Sequence, residues 1–443
     1  MNSVSISVAQ PKIAISNPYK SKVFRAWLIW GLATIFYFYD NLLQISPSAM
    51  KPELMLAFAK QAEQFGSLSA YCLYAYGLMQ IPAGLLLDKY GPRRLITLAC
   101  ILCACGSLLF GVASTLWEAK FGRLLIGVGA AFAFVSCLKI ASIWFSANRF
   151  AFLIGLTATI GFLGSAFGLS FVSKIIQSIG WRESMQWGGG IGLLLSLFLF
   201  ILVKDKKESQ APHLNPLTQG EKLEGTTNKE VLQGLLSVIK EKRTWIAAIF
   251  GGLMFVPTLA FGGLWGIPFL VEAHGFDRET AGFCVSLIYI GWVFGSPVWG
   301  IISDRLGRRN LPMMISSGVT LVITCTILYS DHLSLYVLNG LLFGLGFFSS
   351  GFLLAFAVVR ESHKPAVAGT AIGFTNALNT FFGAIAQPII GKILDFTSQH
   401  ATGGEHVFSL VEYQKAFVSL PICLAIAFCL LFFLKETYCK PVV

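Results

Sequence analysis

The chain has 443 residues, of which 55% are hydrophobic and only 12% are charged. Soluble domains carry about 25% charged residues, so this chain cannot cover its surface with water-compatible side chains, and we expect its solvent to be lipid. The net charge of +11 does not indicate a nucleic-acid partner. The basic residues lie in short gaps between apolar runs and form no basic stripe with interleaved aromatic residues.

In chain order, a polar segment at 1–23 predicts a cytoplasmic tail rather than a signal peptide, whose apolar core would lie earlier. Twelve apolar runs follow, each near the length of about 20 residues that crosses a bilayer. A polar, charged segment at 204–244 divides them into two sets of six. The predicted spans are 24–46, 67–87, 95–114, 120–145, 150–174 and 186–203, then 245–271, 279–302, 311–330, 334–358, 366–391 and 415–434.

The predicted fold is therefore all-α and integral to the membrane, with twelve transmembrane helices in two six-helix bundles. The expected parts are an N-terminal bundle (24–203), a cytoplasmic middle loop (204–244), a C-terminal bundle (245–434) and a cytoplasmic tail (435–443). The ten cysteines lie mostly in apolar runs, where they act as small hydrophobic residues, and we expect no disulfide and no metal site.

Positive residues set the orientation, because they concentrate on the cytoplasmic side of membrane proteins. With both termini inside, 23 of the 33 Lys and Arg residues fall in cytoplasmic segments and eight on the outer side. The other two, Arg123 and Lys139, lie inside predicted spans. We expect a multi-pass protein of a bacterial inner membrane with both termini in the cytoplasm.

The two bundles repeat one template. Gly84-Leu-Leu-Leu-Asp88-Lys-Tyr-Gly91 recurs 216 residues later as Gly300-Ile-Ile-Ser-Asp304-Arg-Leu-Gly307. Arg123-Leu-Leu-Ile-Gly127-Val-Gly129 recurs 217 residues later as Gly340-Leu-Leu-Phe-Gly344-Leu-Gly346. Two unrelated motifs at offsets that differ by one residue indicate parallel repeats, as expected for a carrier whose site lies between its halves.

These motifs resemble the major facilitator superfamily. The segment Gly84–Arg94 is similar to its signature in the cytoplasmic loop between helices 2 and 3, Gly300–Arg309 to the echo between helices 8 and 9, and Arg123–Gly129 to its helix-4 motif. Pro92 stands where the family usually has a basic residue, and the Gly-Pro pair typical of helix 5 in drug antiporters is missing. The segments from Tyr74 to Pro82, from Gly369 to Asn376 and from Gln387 to Gly391 resemble proteobacterial intraphagosomal amino-acid transporters and, more distantly, lysosomal dipeptide carriers.

The duplicated loop signature predicts a cytoplasmic gate. An acid at the end of helix 2 or 8 can accept hydrogen bonds from the first N–H groups of a neighbouring helix, and the glycines allow close helix approach. The alternative is that the loops only mark topology and end helices. The predicted gating residues are Gly84, Asp88, Gly91, Arg93, Arg94, Gly300, Asp304, Gly307, Arg308 and Arg309.

Charged residues inside a membrane span are costly and indicate function. Asp40 in helix 1 and Arg123 in helix 4 lie at similar depth in the outer half of the bilayer, so we expect them to pair and to switch on protonation of Asp40. Alternatively, Asp40 stays hydrated and Arg123 extends to the surface. Lys139 either holds a substrate carboxylate or extends to the inner surface.

Polar and aromatic side chains complete the candidate cavity. Asn376, Asn379 and Gln387 form one stripe on helix 11, at a spacing that fits the wall of a water-filled cavity. Each of the remaining candidates could equally be a packing residue. These are Tyr76, Gln80, Trp265, Tyr289 and Trp292.

We therefore expect a secondary active transporter, a proton symporter, that imports a small organic nutrient by alternating access. The sequence has no Walker-type phosphate loop and no soluble domain for ATP hydrolysis, and we expect no enzyme activity, no cofactor and a monomer in the lipid bilayer. The resemblance makes an amino acid or small peptide the best substrate. Alternatives are an importer of siderophores or other organic anions, an efflux pump, and a transporter-like membrane sensor without flux.

Overall fold

A computed structural model describes residues 18–58, 61–145, 147–203, 236–330, 333–363, 365–398 and 407–439. All regular structure within these residues is helical. The predicted tail residues 1–17 and 440–443, and middle-loop residues 204–235, lie outside the described residues.

The N-terminal half contains six long helices. A short 3₁₀ turn (Ser46–Met50) and a short outer helix (Lys51–Ala57) connect the first two. The six are α1 (Pro18–Ile45), α2 (Ala62–Tyr90), α3 (Pro92–Val112), α4 (Leu116–Trp144), α5 (Ala147–Phe167, continued by Gly168–Val172 and Ser173–Ile179) and α6 (Trp181–Leu202).

The C-terminal half repeats the pattern with six more. They are α7 (Lys242–Val256, continued by Pro257–Trp265 and Gly266–His274), α8 (Arg278–Leu306), α9 (Asn310–Tyr329), α10 (Leu335–Ser349, continued by Ser350–Leu353 and Leu354–Glu361), α11 (Pro365–Thr397) and α12 (Leu410–Phe417, Ser419–Leu430 and Leu431–Phe433). Within the described residues, ten of these helices, α3–α12, are long and apolar enough to cross a membrane. With α1 and α2, the arrangement is consistent with the predicted twelve.

Glycines of the repeated helix-4 motif bring helices into contact. A Cβ atom on Gly129 of α4 would overlap the Ala99 carbonyl of α3, and one on its counterpart Gly346 of α10 would overlap the Ile288 carbonyl of α8. Only a residue without a side chain allows backbones to approach this closely. The recurrence of these glycines in both halves is therefore explained by packing.

The halves meet through two helix pairs, α2 with α11 and α5 with α8. Gly66 of α2 packs directly on the backbone of Gln387 in α11, where an added Cβ would lie 2.5 Å from its carbonyl oxygen. Gly282 of α8 packs in the same way on the Leu169 carbonyl of α5, also at 2.5 Å. Gly66 and Gly282 are 216 positions apart, which is the offset of the repeat. Each lies near the start of its helix.

Both loop signatures end their helices with a glycine. Gly91 follows α2 with φ of 79°, and Gly307 follows α8 with φ of 61°. Positive φ is unfavourable for residues with a Cβ atom, so the signature glycines are needed to terminate these helices.

The middle of α7 is wound as a π-helix over Pro257–Trp265. Such segments are uncommon and often lie at functional sites, because they shift the hydrogen-bond register and free carbonyl groups. Here Leu259 O accepts from Gln387 Nε2 at 2.9 Å, and Leu264 O accepts from Ser48 Oγ of the other half at 2.9 Å. The π-helix thus places backbone acceptors where the two halves meet.

Candidate transport site

Asp40 is a fully buried carboxyl group in α1. Its Oδ1 accepts a hydrogen bond from Gln44 Nε2 at 2.5 Å, one helical turn further along. Its Oδ2 has no hydrogen-bond partner. A buried carboxylate without a cation is costly, and the surroundings of Asp40 satisfy only one of its two oxygens.

Arg123 caps the C-terminal end of α1. Its Nη1 donates to the carbonyl oxygen of Leu43 at 2.7 Å and its Nη2 to that of Gln44 at 2.6 Å. The last carbonyl groups of a helix lack intrahelical donors and carry the negative end of the helix dipole. Arg123 therefore supplies hydrogen-bond donors to two carbonyl groups at the end of α1. Its own Nε has no hydrogen-bond partner.

The predicted Asp40–Arg123 ion pair is wrong for this conformation. Both residues are buried at neighbouring positions, as expected, but the guanidinium binds backbone carbonyls and the Asp40 carboxyl binds Gln44. The physical reason is that an orphaned carbonyl at a helix end competes for the arginine donors. Gln44 joins the two groups, because its side chain binds Asp40 and its backbone binds Arg123.

Gln80 and Asn376 connect the two halves beside Asp40. Asn376 Nδ2 of α11 donates to Gln80 Oε1 of α2 at 2.9 Å. Tyr76 interacts electrostatically with Asp40 and with both amides. The structure therefore brings four of the predicted cavity residues into one polar cluster, which contains groups from α1, α2 and α11.

Two residues of the α11 stripe, Asn379 and Gln387, contact α7. Gln387 Nε2 donates to Leu259 O, and Trp265 Nε1 donates to the Gln387 carbonyl at 3.0 Å. Asn379 is fully buried against Gly251, and neither its Oδ1 nor its Nδ2 has a partner. The expectation that these residues line a water-filled cavity is wrong for Asn379 and Gln387 in this conformation, because α7 covers them.

Tyr289 and Trp292 lie on α8 and are both buried. Trp292 Nε1 donates to Thr258 Oγ1 of α7 at 3.1 Å, and its ring lies 5.1 Å from that of Phe162 in α5. Trp292 therefore helps to hold α5, α7 and α8 together. Lys139 is half-buried near the inner end of α4.

Charged residues close one end of the bundle, which we call the outer end because it is predicted to face outwards. Asp395 of α11 accepts from the backbone N–H groups of Ala62 at 2.7 Å and Glu63 at 2.8 Å, the first residues of α2. Arg278 at the start of α8 pairs with Glu53 at 2.6 Å. A carboxylate on the first N–H groups of a helix is stabilising, so these contacts favour closure here.

Lys51 forms the most buried of these links. Its Nζ lies 2.5 Å from Glu272 Oε1 and 3.3 Å from the Tyr413 hydroxyl. Burial lowers the pKa of Lys51, and the charge of Glu272 opposes that effect. Sequence reasoning missed Lys51, Glu272, Asp395 and Tyr413, since partners more than 200 positions apart leave no local signal.

At the other end of the bundle, Arg309 and Arg93 of the two loop signatures each bind groups of their own half of the chain. Arg309 binds Glu361 at 2.7 Å and Asp304 at 2.7 Å. Burial alone would lower the pKa of Arg309, but the hydrogen bonds that Arg309 donates to Glu361 and Asp304 raise it above its ordinary value. Arg93 Nε donates to the Phe200 carbonyl of α6 at 3.0 Å, within the N-terminal half.

Two contacts expected of a closed cytoplasmic gate are not formed by the described residues in this conformation. Asp304 accepts from Arg309 of its own loop rather than from a neighbouring helix end, and it is 69% exposed. Gly84 and Gly300 have open space where a Cβ would stand, so they make no close helix contact here. Both differences follow if this end is open while the outer end is closed. Arg94 and Arg308 are exposed, and the Asp88 side chain lies outside the described part.

The fold and site define a polytopic helical carrier with two repeated lobes and buried polar groups between them. The sequence profile of the Major Facilitator Superfamily matches residues 29–388 and 258–438. The chain belongs to this superfamily, as the loop signatures predicted.

Named relatives span most of the chain. A "Probable hexose phosphate transport protein" of Chlamydia pneumoniae is 25% identical over 401 residues, covering 86% of this chain and 87% of that protein. The membrane sensor protein UhpC of Escherichia coli is 24% identical over 405 residues, covering 89% and 90%. The lysosomal dipeptide transporter MFSD1 of Homo sapiens is 25% identical over 379 residues, covering 81% and 77%.

The same fold is found among solved structures. A bacterial homologue of the human lysosomal transporter Spinster, in an inward-facing and occupied conformation, superposes with a TM-score of 0.74 at 14% identity. The match covers 95% of this chain and 97% of that one. At this identity the likeness concerns the fold alone.

Proposed function

We propose that the protein is a proton-coupled symporter that imports a small organic nutrient, and that an amino acid or small peptide is its substrate. The observation that carries the proposal is the isolation of Asp40. This carboxyl group is fully buried in the N-terminal half, with one oxygen bound by Gln44 and the other without a partner. Ionisable residues inside a membrane span are costly and are by default candidates for function.

Proton coupling follows from the contact between Gln44 and Asp40. Loss of the proton leaves a carboxylate beside the carbonyl groups that hold Arg123. The guanidinium is then attracted from the end of α1 towards Asp40, which loosens the α1–α4 contact. Protonation from the outside and release to the inside would therefore bias the lobes between two arrangements.

Several buried groups could recognise a substrate with an amide or a carboxylate. Asn379 offers a donor and an acceptor that are both unpaired, Gln387 Oε1 is an unpaired acceptor, and Gln80 Nε2 is an unpaired donor. Unpaired buried polar atoms are unfavourable, and a peptide-like solute would satisfy them. The similarity to a lysosomal dipeptide transporter supports the same class.

An organic-anion importer is the second candidate, favoured by the similarity to hexose phosphate transport proteins. A phosphate needs free arginine or lysine donors. Arg123 already uses two terminal nitrogens on backbone carbonyls, and Lys51 is bound to Glu272. These contacts make a phosphate-bearing substrate the weaker alternative. A siderophore is a weaker alternative for the same reason, because as an organic anion it would also need these donors.

A sensor that binds solute without transporting it is the alternative of another class, because a membrane sensor protein is among the relatives. An efflux pump, which would export the solute instead of importing it, remains the alternative for the direction of transport. We further propose a monomer in a bacterial inner membrane with both termini in the cytoplasm and with no enzyme activity.

Counterflow in proteoliposomes tests the function. Vesicles are loaded with a panel of amino acids, dipeptides, hexose phosphates and organic acids, and uptake of the same labelled solute is measured. We expect exchange of one amino acid or dipeptide. Binding with no exchange across the panel would favour the sensor, and exchange of a hexose phosphate alone would contradict the proposed substrate class. Asn379→Leu should weaken exchange, and the matched control is Thr326→Val at a partly exposed position of α9.

A further inference from the structure

Lys51 places a buried ammonium group inside a site built by the other half. The side chain is 2% exposed, and its Nζ lies 2.5 Å and 2.8 Å from the two oxygens of Glu272. The Tyr413 hydroxyl lies 3.3 Å from the same nitrogen. Two carboxylate oxygens and a hydroxyl therefore accept from the three N–H donors of the ammonium group.

Aromatic rings surround this ammonium group as well. Its nitrogen lies 4.5 Å from the ring centroid of Phe408, 5.8 Å from that of Tyr413 and 5.9 Å from that of Trp265. Each distance is within the range of about 6 Å for a cation–π interaction. A carboxylate with several rings is the arrangement with which proteins bind free ammonium ligands.

All groups of this ammonium cage, which we define as Glu272, Phe408, Tyr413 and Trp265, belong to the C-terminal half. The cage is held together without Lys51. Glu272 Oε2 accepts from the Phe408 backbone N–H at 3.1 Å and from the Tyr413 hydroxyl at 2.9 Å. Trp265 is held by its hydrogen bond to Gln387 of α11. Separation of the halves would remove the cation and the Phe65 ring that packs on Trp265 at 5.3 Å, and would leave these hydrogen bonds of the cage in place.

We propose that the ammonium cage binds the primary ammonium group of a solute when the outer end is open, and that Lys51 replaces this group as the outer end closes. The inference rests on the proposed function, because it requires the halves to separate at this end. An isolated buried carboxylate is strongly unfavourable, and exchange of one ammonium group for another keeps Glu272 paired throughout. The ligand class is primary amines and zwitterions, including amino acids and peptides with a free amino terminus.

Chemical rescue tests the cage without any transport measurement. Lys51→Ala removes three methylene groups and the ammonium group, which together match n-propylammonium. The melting temperature of the full-length protein in lipid nanodiscs is measured with n-propylammonium chloride, with 1-propanol and with sodium chloride. We expect Lys51→Ala to melt lower than the wild type, and n-propylammonium to restore at least half of the loss in a saturable way.

The controls separate binding in the cage from general effects. The wild type, in which n-propylammonium must compete with Lys51, should respond less than Lys51→Ala, and the double variant Lys51→Ala/Glu272→Gln should not respond to n-propylammonium. An equal response to 1-propanol, an equal response of the double variant, or no response of Lys51→Ala would overturn the proposal. Because no substrate is needed, these outcomes are distinct from a failure of the counterflow experiment.

A second measurement applies if Lys51→Ala does not fold. Ser48 donates to the Leu264 carbonyl inside the closed outer end and is 1% exposed. Ser48→Cys, in a chain whose native cysteines are replaced, reports outer opening through its reaction with an impermeant maleimide. We expect n-propylammonium to accelerate labelling by competing with Lys51, and Lys51→Met/Glu272→Gln to abolish that response. A labelling rate that is independent of n-propylammonium would contradict the cage.

Discussion

Arg123 supplies the hydrogen-bond donor that Pro47 lacks. In a continuous helix the N–H group of residue 47 would donate to the carbonyl oxygen of Leu43, but proline has no N–H group. Arg123 Nη1 donates to that oxygen at 2.7 Å, and Ser46 Oγ donates to it at 2.9 Å. An arginine buried in the membrane is thus part of the end of α1 as well as a neighbour of Asp40.

The first prediction concerns this arginine. Lysine carries one nitrogen and cannot reach both carbonyl oxygens in the fixed geometry of a guanidinium group. Arg123→Lys should therefore leave one buried acceptor without a donor and lower the free energy of unfolding by about 1–3 kcal/mol. Chemical denaturation in detergent measures it. Arg305→Lys, at an exposed position, is the control, and equal stability of the two variants would show that the cap is unimportant.

The second prediction uses two glycines of one motif. Gly346 packs on the Ile288 carbonyl, whereas Gly340 on the same helix has open space around it. Gly346→Ala should destabilise the protein by about 1–3 kcal/mol, because the two backbones must move apart. Gly340→Ala should be neutral or stabilising. Thermal unfolding of both variants provides the comparison, and a similar loss in both would contradict the packing of α8 on α10.

The third prediction concerns closure of the outer end. Asp395→Ala removes the acceptor for the first two N–H groups of α2 and should shift the protein towards the outward-open arrangement. Labelling of Ser48→Cys by an impermeant maleimide should become faster, with Asp395→Asn intermediate because its amide oxygen can still accept one hydrogen bond. Unchanged labelling in Asp395→Ala would mean that this cap does not hold the outer end shut.

The fourth prediction is a pH dependence of stability. His363 Nε2 lies 2.6 Å from Thr244 Oγ1, and burial lowers the pKa of His363, with the charge of Glu241 opposing. The unfolded chain, with an ordinary pKa of about 6.5, then binds the proton more readily than the folded protein. The stabilisation that neutral His363 contributes is therefore complete above about pH 6.5. It is lost as the pH falls towards the lowered pKa of His363 in the folded protein.

His363→Asn should flatten this acid-side decline, although it removes the contact with Thr244 and lowers stability at neutral pH. Melting temperatures of both proteins between about pH 5 and pH 8 give the two slopes. Parallel slopes would exclude His363 as the titrating group.

The membrane architecture could be predicted from the sequence because it depends on local properties. Apolar length and repeated glycines specify the helices, and the positive φ of Gly91 and Gly307 explains where two of them end. That Asp40 and Arg123 both lie next to Gln44 agrees with a count along two helices.

The contacts of these residues were harder to predict. Arg123 binds two carbonyl groups rather than Asp40, and the only sequence signal was Pro47 at the end of helix 1. Lys51 and Glu272 are 221 positions apart. Their pairing depends on how the two halves dock in one conformation, which neither periodicity nor local composition encodes.

A comparison of acid-driven uptake by the wild type and by Asp40→Asn tests most directly the claim that Asp40 couples transport to protons. Proteoliposomes that contain the wild type, Asp40→Asn or the surface control Glu183→Gln are assayed with and without an inward proton gradient. The account predicts that the gradient stimulates the wild type and Glu183→Gln, whereas Asp40→Asn keeps counterflow at equal pH but loses the stimulation. Stimulation of Asp40→Asn to the wild-type extent would contradict proton coupling through this carboxyl group.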